Sequence, residues 1–275
     1  MNFEAPKTKI SFLLVISGFL LTLLCLFWFT LTIHLLGIEN VFEFSHIGML
    51  LCELFLPFPL IIWASTKKIK YKDIFRFNKI KLPYLVFSIL VAIGLIIILD
   101  EIERVLTMFI EYPDYIKQIN EFMKFKGLQT TICLIVGVAI IAPVTEEMVF
   151  RGFFQQTLEH NFRSISNAFL IVALAFMIIH LNLYFALHIF IIGYFLSFVA
   201  WKTNSIWPSI IIHSVNNFLS LLFTNFEDII EKTYIFHGHV HPVIFFIALF
   251  FFAYFLFKLT KLKNCTIWKG KTYEG

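Results

Sequence analysis

Six side chains in the second half of the chain are of types that do chemistry, and they recur at helical spacing. Glu146 and Glu147 are adjacent, and Arg151 follows the second of them by four residues. His180 stands four residues after Phe176, and His213 four residues before Asn217. Carboxylates and imidazoles take and return protons; imidazole and amide N–H groups can hold an oxyanion. Glu147 and Arg151 at i, i+4 can close an intrahelical ion pair. Adjacent helical residues are splayed by about 100°, so one guanidinium does not serve both glutamates. Glu146 is therefore expected to be buried without a local partner, the situation of a general base.

Other reaction classes lack their residues. The chain has no Gly-x-Ser-x-Gly, no His-Glu-x-x-His and no Cys–His pattern. Two histidines and a glutamate are legitimate zinc ligands. A zinc ion on Glu146, His180 and His213 and a metal-free acid–base set are both open on the residues alone.

The elements that must position these groups are apolar. Of 275 residues 59% are hydrophobic and 15% charged, with mean hydropathy +0.85 and 36 Phe. Soluble domains carry roughly a quarter charged residues, so too little polar surface exists to cover a globule. Secreted soluble proteins, disordered chains and nucleic-acid-binding domains are excluded. Apolar stretches of about 17–25 residues suit spanning helices, and eight are read: 10–36, 46–65, 82–99, 129–157, 166–181, 183–201, 206–224 and 240–258. The expected fold is an all-α, polytopic membrane helix bundle of about eight transmembrane helices. The first stretch exceeds a signal-peptide core and lacks a small-residue cleavage site, so it reads as a retained helix. Cys25, Cys52, Cys133 and Cys265 show no pairing or metal spacing, and the first three read as buried thiols.

Charge placement orients the bundle. With the N-terminus in the cytoplasm, 16 of the 22 Lys and Arg fall in cytoplasmic segments and five in outer loops, as the positive-inside rule requires. Both termini are then cytoplasmic. Residues 66–81, with Lys interleaved among Ile, Tyr and Phe, suit a segment lying on anionic headgroups. Residues 100–126 read as an outer loop with short helices. Glu53 and His34 fall near span ends, and His188 and Asn216 read as structural.

Ionisable groups at membrane depth cost at least ~2.5–3.5 kcal/mol each, which leaves the first cluster and the two later ones as candidates for function. The hairpin after residue 157 would bring Glu146 level with Phe176 and about one turn from His180. For His180 to sit at this depth, a turn at 181–183 is expected to be buried inside the protein.

These residues, in this order, resemble the EExxxR, FxxxH and HxxxN pattern of the intramembrane proteases related to the CAAX prenyl endopeptidase, also called the CAAX-protease and bacteriocin-processing (CPBP or Abi) family. Ala142-Pro143 before the glutamates, Phe150-Arg151-Gly152 after them and Trp207-Pro208 before His213 match as well. The resemblance spans about 129–224. It divides the chain into N-terminal membrane helices and an outer loop (1–128), a catalytic core (129–224), and a last helix with a basic cytoplasmic tail (225–275).

The resemblance implies an intramembrane endopeptidase, of glutamic or metallo type. Glu146 and His180 would activate water, His213 and Asn217 would stabilise the oxyanion, and Glu147, Arg151 and Phe176 would support them. The cofactor is none or zinc. The partners are the bilayer and a peptide or protein substrate: a prenylated C-terminus or, in a bacterial plasma membrane, an exported peptide or bacteriocin. A non-catalytic peptide-binding or bacteriocin-immunity protein of the same fold is the alternative, and a transporter using the cluster as a proton relay is a third.

Overall fold

The computed structural model describes residues 5–38 and 41–261. The basic tail beyond Lys261, with Cys265, lies outside the described residues. All eight expected apolar stretches are helical. Six helices are long and apolar enough to cross a membrane: Thr8–Leu35, Phe44–Thr66, Leu82–Thr107, Leu128–Asn161, Ala186–Thr203 and Pro242–Lys261. Ile165–Ile179 is short, at 15 residues. Trp207–Asn225 has the length, but Ser209, His213, Ser214, Asn216 and Asn217 dilute its apolar character. The protein is a multi-pass membrane protein with six such helices rather than a demonstrated eight.

Helix α1 (Thr8–Leu35) is followed by α2 (Val41–Glu53) and α3 (Phe58–Thr66). The latter two are halves of one span, interrupted over 54–57 where Pro57 and Pro59 withdraw backbone donors. A short α4 (Tyr71–Ile74) leads to α5 (Leu82–Thr107), which opens on Pro83, and to the outlying α6 (Asp114–Phe122). Next comes one long interrupted helix: α7 (Leu128–Val136), a π turn (Gly137–Ile141), α8 (Ala142–Glu147), a second π turn (Met148–Phe154) and α9 (Gln155–Asn161). Ser164 caps α10 (Ile165–Ile179) by accepting from Asn167 N–H. Left-handed Asn204 ends α11 (Ala186–Thr203), and α12 (Trp207–Asn225) and α13 (Glu227–Thr233) follow. Helix α14 (Pro242–Lys261) closes the described chain.

One element departs from all-α. Strands β1 (Ile235–Phe236) and β2 (His239–Val240) pair antiparallel, with positive φ at both turn residues, His237 and Gly238. That is the condition for a tight two-residue hairpin.

Two apolar cores hold the bundle. In one, Val15 of α1, Leu60 of α3 and Phe75 pack against Phe150, Phe153 and Phe154 of the second π turn and Phe176 of α10. In the other, Val91, Leu95 and Leu99 of α5 meet Leu196 and Val199 of α11, Ile212 of α12 and Leu259 of α14. Helices α5 and α14 touch backbone to backbone at Gly94, where a Cβ would fall 2.7 Å from the Ala248 carbonyl oxygen.

The basic segment 66–81 does more than lie on headgroups. Ile74, Phe75 and Arg76 are fully buried. Arg76, in the left-handed region at φ 54°, pairs with buried Glu159, which Gln155 also holds at 2.7 Å. This stretch is a plug between α9 and the α11–α12 turn, where Ile206 N–H donates to the Arg76 carbonyl. Cys52 is buried, Cys25 and Cys133 are half-buried, and all three are free thiols.

Candidate active site

Pro143 shapes the site from its backbone outward. In the first π turn the Ala142 N–H reaches back five residues to the Gly137 carbonyl. In that register the next residue would bond the Val138 carbonyl, but it is Pro143, which has no N–H. Asn217 supplies the missing donor: its Nδ2 bonds Val138 O at 2.9 Å. Three residues on, α8 presents Glu146 and Glu147 to different surroundings, as their angular offset requires.

Glu147 is fully buried and accepts from Arg151 Nη1 at 2.6 Å. Arg151, also fully buried, donates Nη2 to the Gly193 carbonyl at 2.9 Å and lies 4.3 Å above the Phe176 ring. Glu147 Oε1 has a second partner, His213 Nδ1 at 3.0 Å. The second π turn is packed tightly here. A Cβ on Gly152 would stand 2.9 Å from Phe75 Cα, so glycine alone lets the plug reach the helix.

His180 ends α10, its Nδ1 2.7 Å from the Phe176 carbonyl. A carbonyl only accepts, so Nδ1 carries the hydrogen and a neutral ring keeps a bare Nε2. His213 Nδ1 likewise faces a carboxylate, which leaves its Nε2 bare. Both Nε2 atoms stand 3.9 Å from one atom, Glu146 Oε2, which is buried and has no protein hydrogen-bond partner. Phe176 walls the rings in, with its centroid 4.6 Å from that of His180 and 5.6 Å from that of His213. Three acceptors thus converge with no protein donor between them. Such a point suits a group that brings its own hydrogens or positive charge.

Asn217 is brought to the neighbourhood, but with its amide engaged. One Nδ2 hydrogen goes to Val138 O, and Oδ1 accepts from Asn216 Nδ2 at 3.3 Å. Asn216 Oδ1 faces His188 Nε2 at 3.2 Å, and His188 Nδ1 pairs with Glu103 at 2.8 Å. His188 and Asn216 therefore form a bracket from α5 to Asn217. One Asn217 N–H remains for another partner.

Two placements differ from expectation. The turn after His180 exists, but it is not buried: Leu181 is 78% and Leu183 86% exposed. Leu181 also adopts the left-handed region at φ 49°, a strained state for a non-glycine residue. Glu53 is no interfacial residue. It ends α2 at the break within a span, its Oε1 accepting from Thr145 Oγ1 at 3.1 Å. Pro57 and Pro59 were the signal that could have found it, because a broken span exposes polar groups at depth.

The donors also bear on zinc. Two imidazoles and a carboxylate are ligands that zinc accepts, but ligands of a tetrahedral zinc ion, at ~2.0–2.1 Å from it, stand about 3.3 Å apart. These stand 3.9 Å apart, and among the described residues no three His, Cys, Asp or Glu side chains are grouped as a metal site. A water ~2.8 Å from both members of such a pair bridges it without strain.

Residues 128–219 match the family model described as Type II CAAX prenyl endopeptidase Rce1-like. The segment carrying the site is Rce1-like. This Rce1-like segment contains Glu146, Glu147, Arg151, Phe176, His180, His213 and Asn217, as the resemblance in the sequence implied, and the family is one of proteases. Glu53, Glu103 and the plug at 74–76 lie outside it. No curated protein and no solved structure matches the chain.

Proposed function

We propose that the protein is an intramembrane endopeptidase that cleaves a membrane-associated peptide or protein by activating water on Glu146 and His180. The observation that carries this reading is the convergence of Glu146 Oε2 with two bare imidazole nitrogens inside an Rce1-like segment. A water there donates one hydrogen to Glu146 and is oriented by His180, whose tautomer the Phe176 carbonyl fixes. Glu146 removes the proton as the oxygen adds to the scissile carbonyl carbon.

The two histidines differ in what stands behind them, and that divides their work. A carboxylate behind a ring stabilises the imidazolium that forms during reaction. Glu147 stands behind His213, so His213, bare at Nε2 when neutral, is the ring suited to carry a proton there as imidazolium and present it to the developing oxyanion. The free Asn217 N–H is the second donor, and each such donor is typically worth ~2.7–4 kcal/mol. Arg151 holds Glu147, leaving Glu146 unneutralised and basic.

The family description points to prenylated C-terminal peptides as one substrate class, and processing of exported peptides in a bacterial plasma membrane is the other. Both termini on the cytoplasmic side fit the charge distribution. The test is purified protein in lipid nanodiscs with a peptide pool read by mass spectrometry. Wild type should generate new termini, and Glu146→Gln should generate none. Cleavage by Glu146→Gln at the wild-type rate would remove the glutamate from the base role.

A further inference from the structure

Four lysines crowd the stretch from the end of α3 into α4. Lys67, Lys68, Lys70 and Lys72 line a cavity of about 930 Å³ together with one carboxylate, Asp73. Among the described residues none of the four lysines forms an ion pair. Four ammonium groups against one carboxylate leave the cavity strongly cationic. The start of α1 adds to this. Ala5 and Pro6 line the same cavity, no described side chain caps the helix, and a helix N-terminus favours negative charge. Asn161 holds that start in place, donating Nδ2 to the Pro6 carbonyl at 3.0 Å and to Thr8 Oγ1 at 3.1 Å.

The turn that carries the lysines is built rather than loose. Helix α3 ends in a Schellman motif, with Ile69 N–H donating to Ala64 O at 2.9 Å and Lys68 N–H to Ser65 O at 3.1 Å. Glycine is the usual residue at the left-handed position of this motif. Here it is Lys68, at φ 56°, so a strained position is given to a charged side chain. Ser65 Oγ and the Tyr71 hydroxyl close the turn at 2.7 Å. Ile69 packs on the apolar core, and Gln156 Nε2 donates to the Ile74 carbonyl at 2.9 Å.

Position and size select the anion. The cavity lies where two spanning helices end, at the start of Thr8–Leu35 and the end of Phe44–Thr66, which is the level of lipid headgroups. Trp63, of a residue type enriched at that level, forms part of the wall and packs edge-on against Phe153 with centroids 5.6 Å apart. From Ile10 in the wall, exposed Leu13, Ile16 and Leu20 continue along one side of α1. Those ten residues rise about 15 Å, half of a ~30 Å hydrocarbon core. Small-molecule sites occupy about 300–1,000 Å³, so this space exceeds a single ion and has room for a headgroup with more than one phosphate.

We propose that the cavity binds an anionic phospholipid carrying two phosphates, its headgroup among Lys67, Lys68, Lys70 and Lys72 and its acyl chains along α1. Basic pockets between membrane helices hold such headgroups. The bound lipid ties the start of α1 to the α3–α4 turn. The site stands whether or not the chain cleaves peptides.

Native mass spectrometry of the full chain, released from detergent micelles, reads the dissociation constant of the first bound lipid. Diphosphatidylglycerol, phosphatidylglycerol and phosphatidylcholine with the same acyl chains are titrated in turn. The first should bind as one equivalent, about tenfold or more tighter than the other two. Lys67→Gln/Lys68→Gln/Lys70→Gln/Lys72→Gln should weaken it by about fivefold per lysine, on the order of 10²–10³-fold in all. Lys79→Gln/Lys81→Gln/Lys258→Gln/Lys261→Gln removes as many charges outside the cavity and should stay within about threefold of wild type. Equal losses in the two variants would mean a diffuse attraction to the membrane surface and overturn the proposal. So would phosphatidylglycerol binding as tightly as the diphosphate lipid, or displacement of the lipid by equimolar inorganic pyrophosphate, which would make this a site for soluble phosphates. Should the first variant not fold, Lys67→Gln/Lys70→Gln against Lys79→Gln/Lys81→Gln carries the same comparison, with a loss of ~25-fold expected in the former alone.

Discussion

Removing Arg151 should destabilise the protein as well as silence it, and the size of the effect follows from its contacts. Arg151→Ala deletes a fully buried guanidinium that bonds Glu147 at 2.6 Å and the Gly193 carbonyl at 2.9 Å and covers the Phe176 ring. Breaking a buried ion pair from one side typically costs about 3–5 kcal/mol, since the surviving charge stays in place. The orphaned carbonyl adds about 1–3 kcal/mol. A loss of at least ~4 kcal/mol consumes much of a stability that is typically 5–15 kcal/mol. In a chain of this size it corresponds to a fall in Tm on the order of 10 °C. Glu147→Gln/Arg151→Met removes both charges and should recover most of the ion-pair part of that loss, because no unpaired charge is then left buried. Tryptophan-fluorescence melts of wild type, Glu147→Gln, Arg151→Met and the double variant in one detergent, taken as a double-mutant cycle, measure the coupling. An Arg151→Ala protein that expresses normally and melts within 2 °C of wild type would refute the bracing role.

Other outcomes follow from the same geometry. Asn217→Ala should lower kcat by roughly 10²–10³-fold with little change in KM, and its melting temperature should also fall, because the Val138 carbonyl loses its only substitute for the Pro143 donor. Steady-state kinetics beside a melt would show both losses. Wild-type activity should survive strong chelators, and zinc measured by mass spectrometry of metals should be substoichiometric; stoichiometric zinc lost together with activity and restored by adding it would reverse the preference for water alone. Outside the membrane helices, hydrogen bonds from Lys126 and Lys124 hold the Glu121 carboxyl down to about 2. The depressed value means this clamp persists as pH falls through 4 and opens only near 2. A ¹³C carboxyl titration should find that midpoint and see it rise in Lys126→Ala.

Part of the candidate site was legible because it is written in short-range spacing. Glu147 and Arg151 lie one turn apart on one helix, so periodicity alone predicts their ion pair; the Phe176–His180 step was legible as spacing, but not the hydrogen bond to the Phe176 carbonyl that fixes the ring's tautomer. Asn217 was legible as a candidate but not as a clasp, since its partner is a carbonyl freed by a π register that no residue pattern marks except Pro143. Glu53 was lost because a helix ruler places it near an interface, whereas the break at 54–57 resets that ruler. The Arg76–Glu159 pair joins positions 83 residues apart, and a lone arginine in a basic segment gives no sign that it will be buried. The turn after His180 was expected inside the protein, but two leucines in apolar surroundings have no need of a protein interior.

The two π turns around α8 have a consequence for how this stretch can change its length. A π turn holds one more residue than the α-helical turn it replaces. A one-residue deletion within Gly137–Ile141 or Met148–Phe154 can therefore be absorbed by a return to α register, and the flanking helices keep their phase. The same deletion inside Ala142–Glu147 would swing everything beyond it by about 100° and aim the neighbour of each candidate side chain at the site. Within this span, then, single-residue deletions should be survivable for the fold at two short windows and nowhere between them. The first window would still carry a cost: closing it gives up the register that pairs Val138 with Asn217.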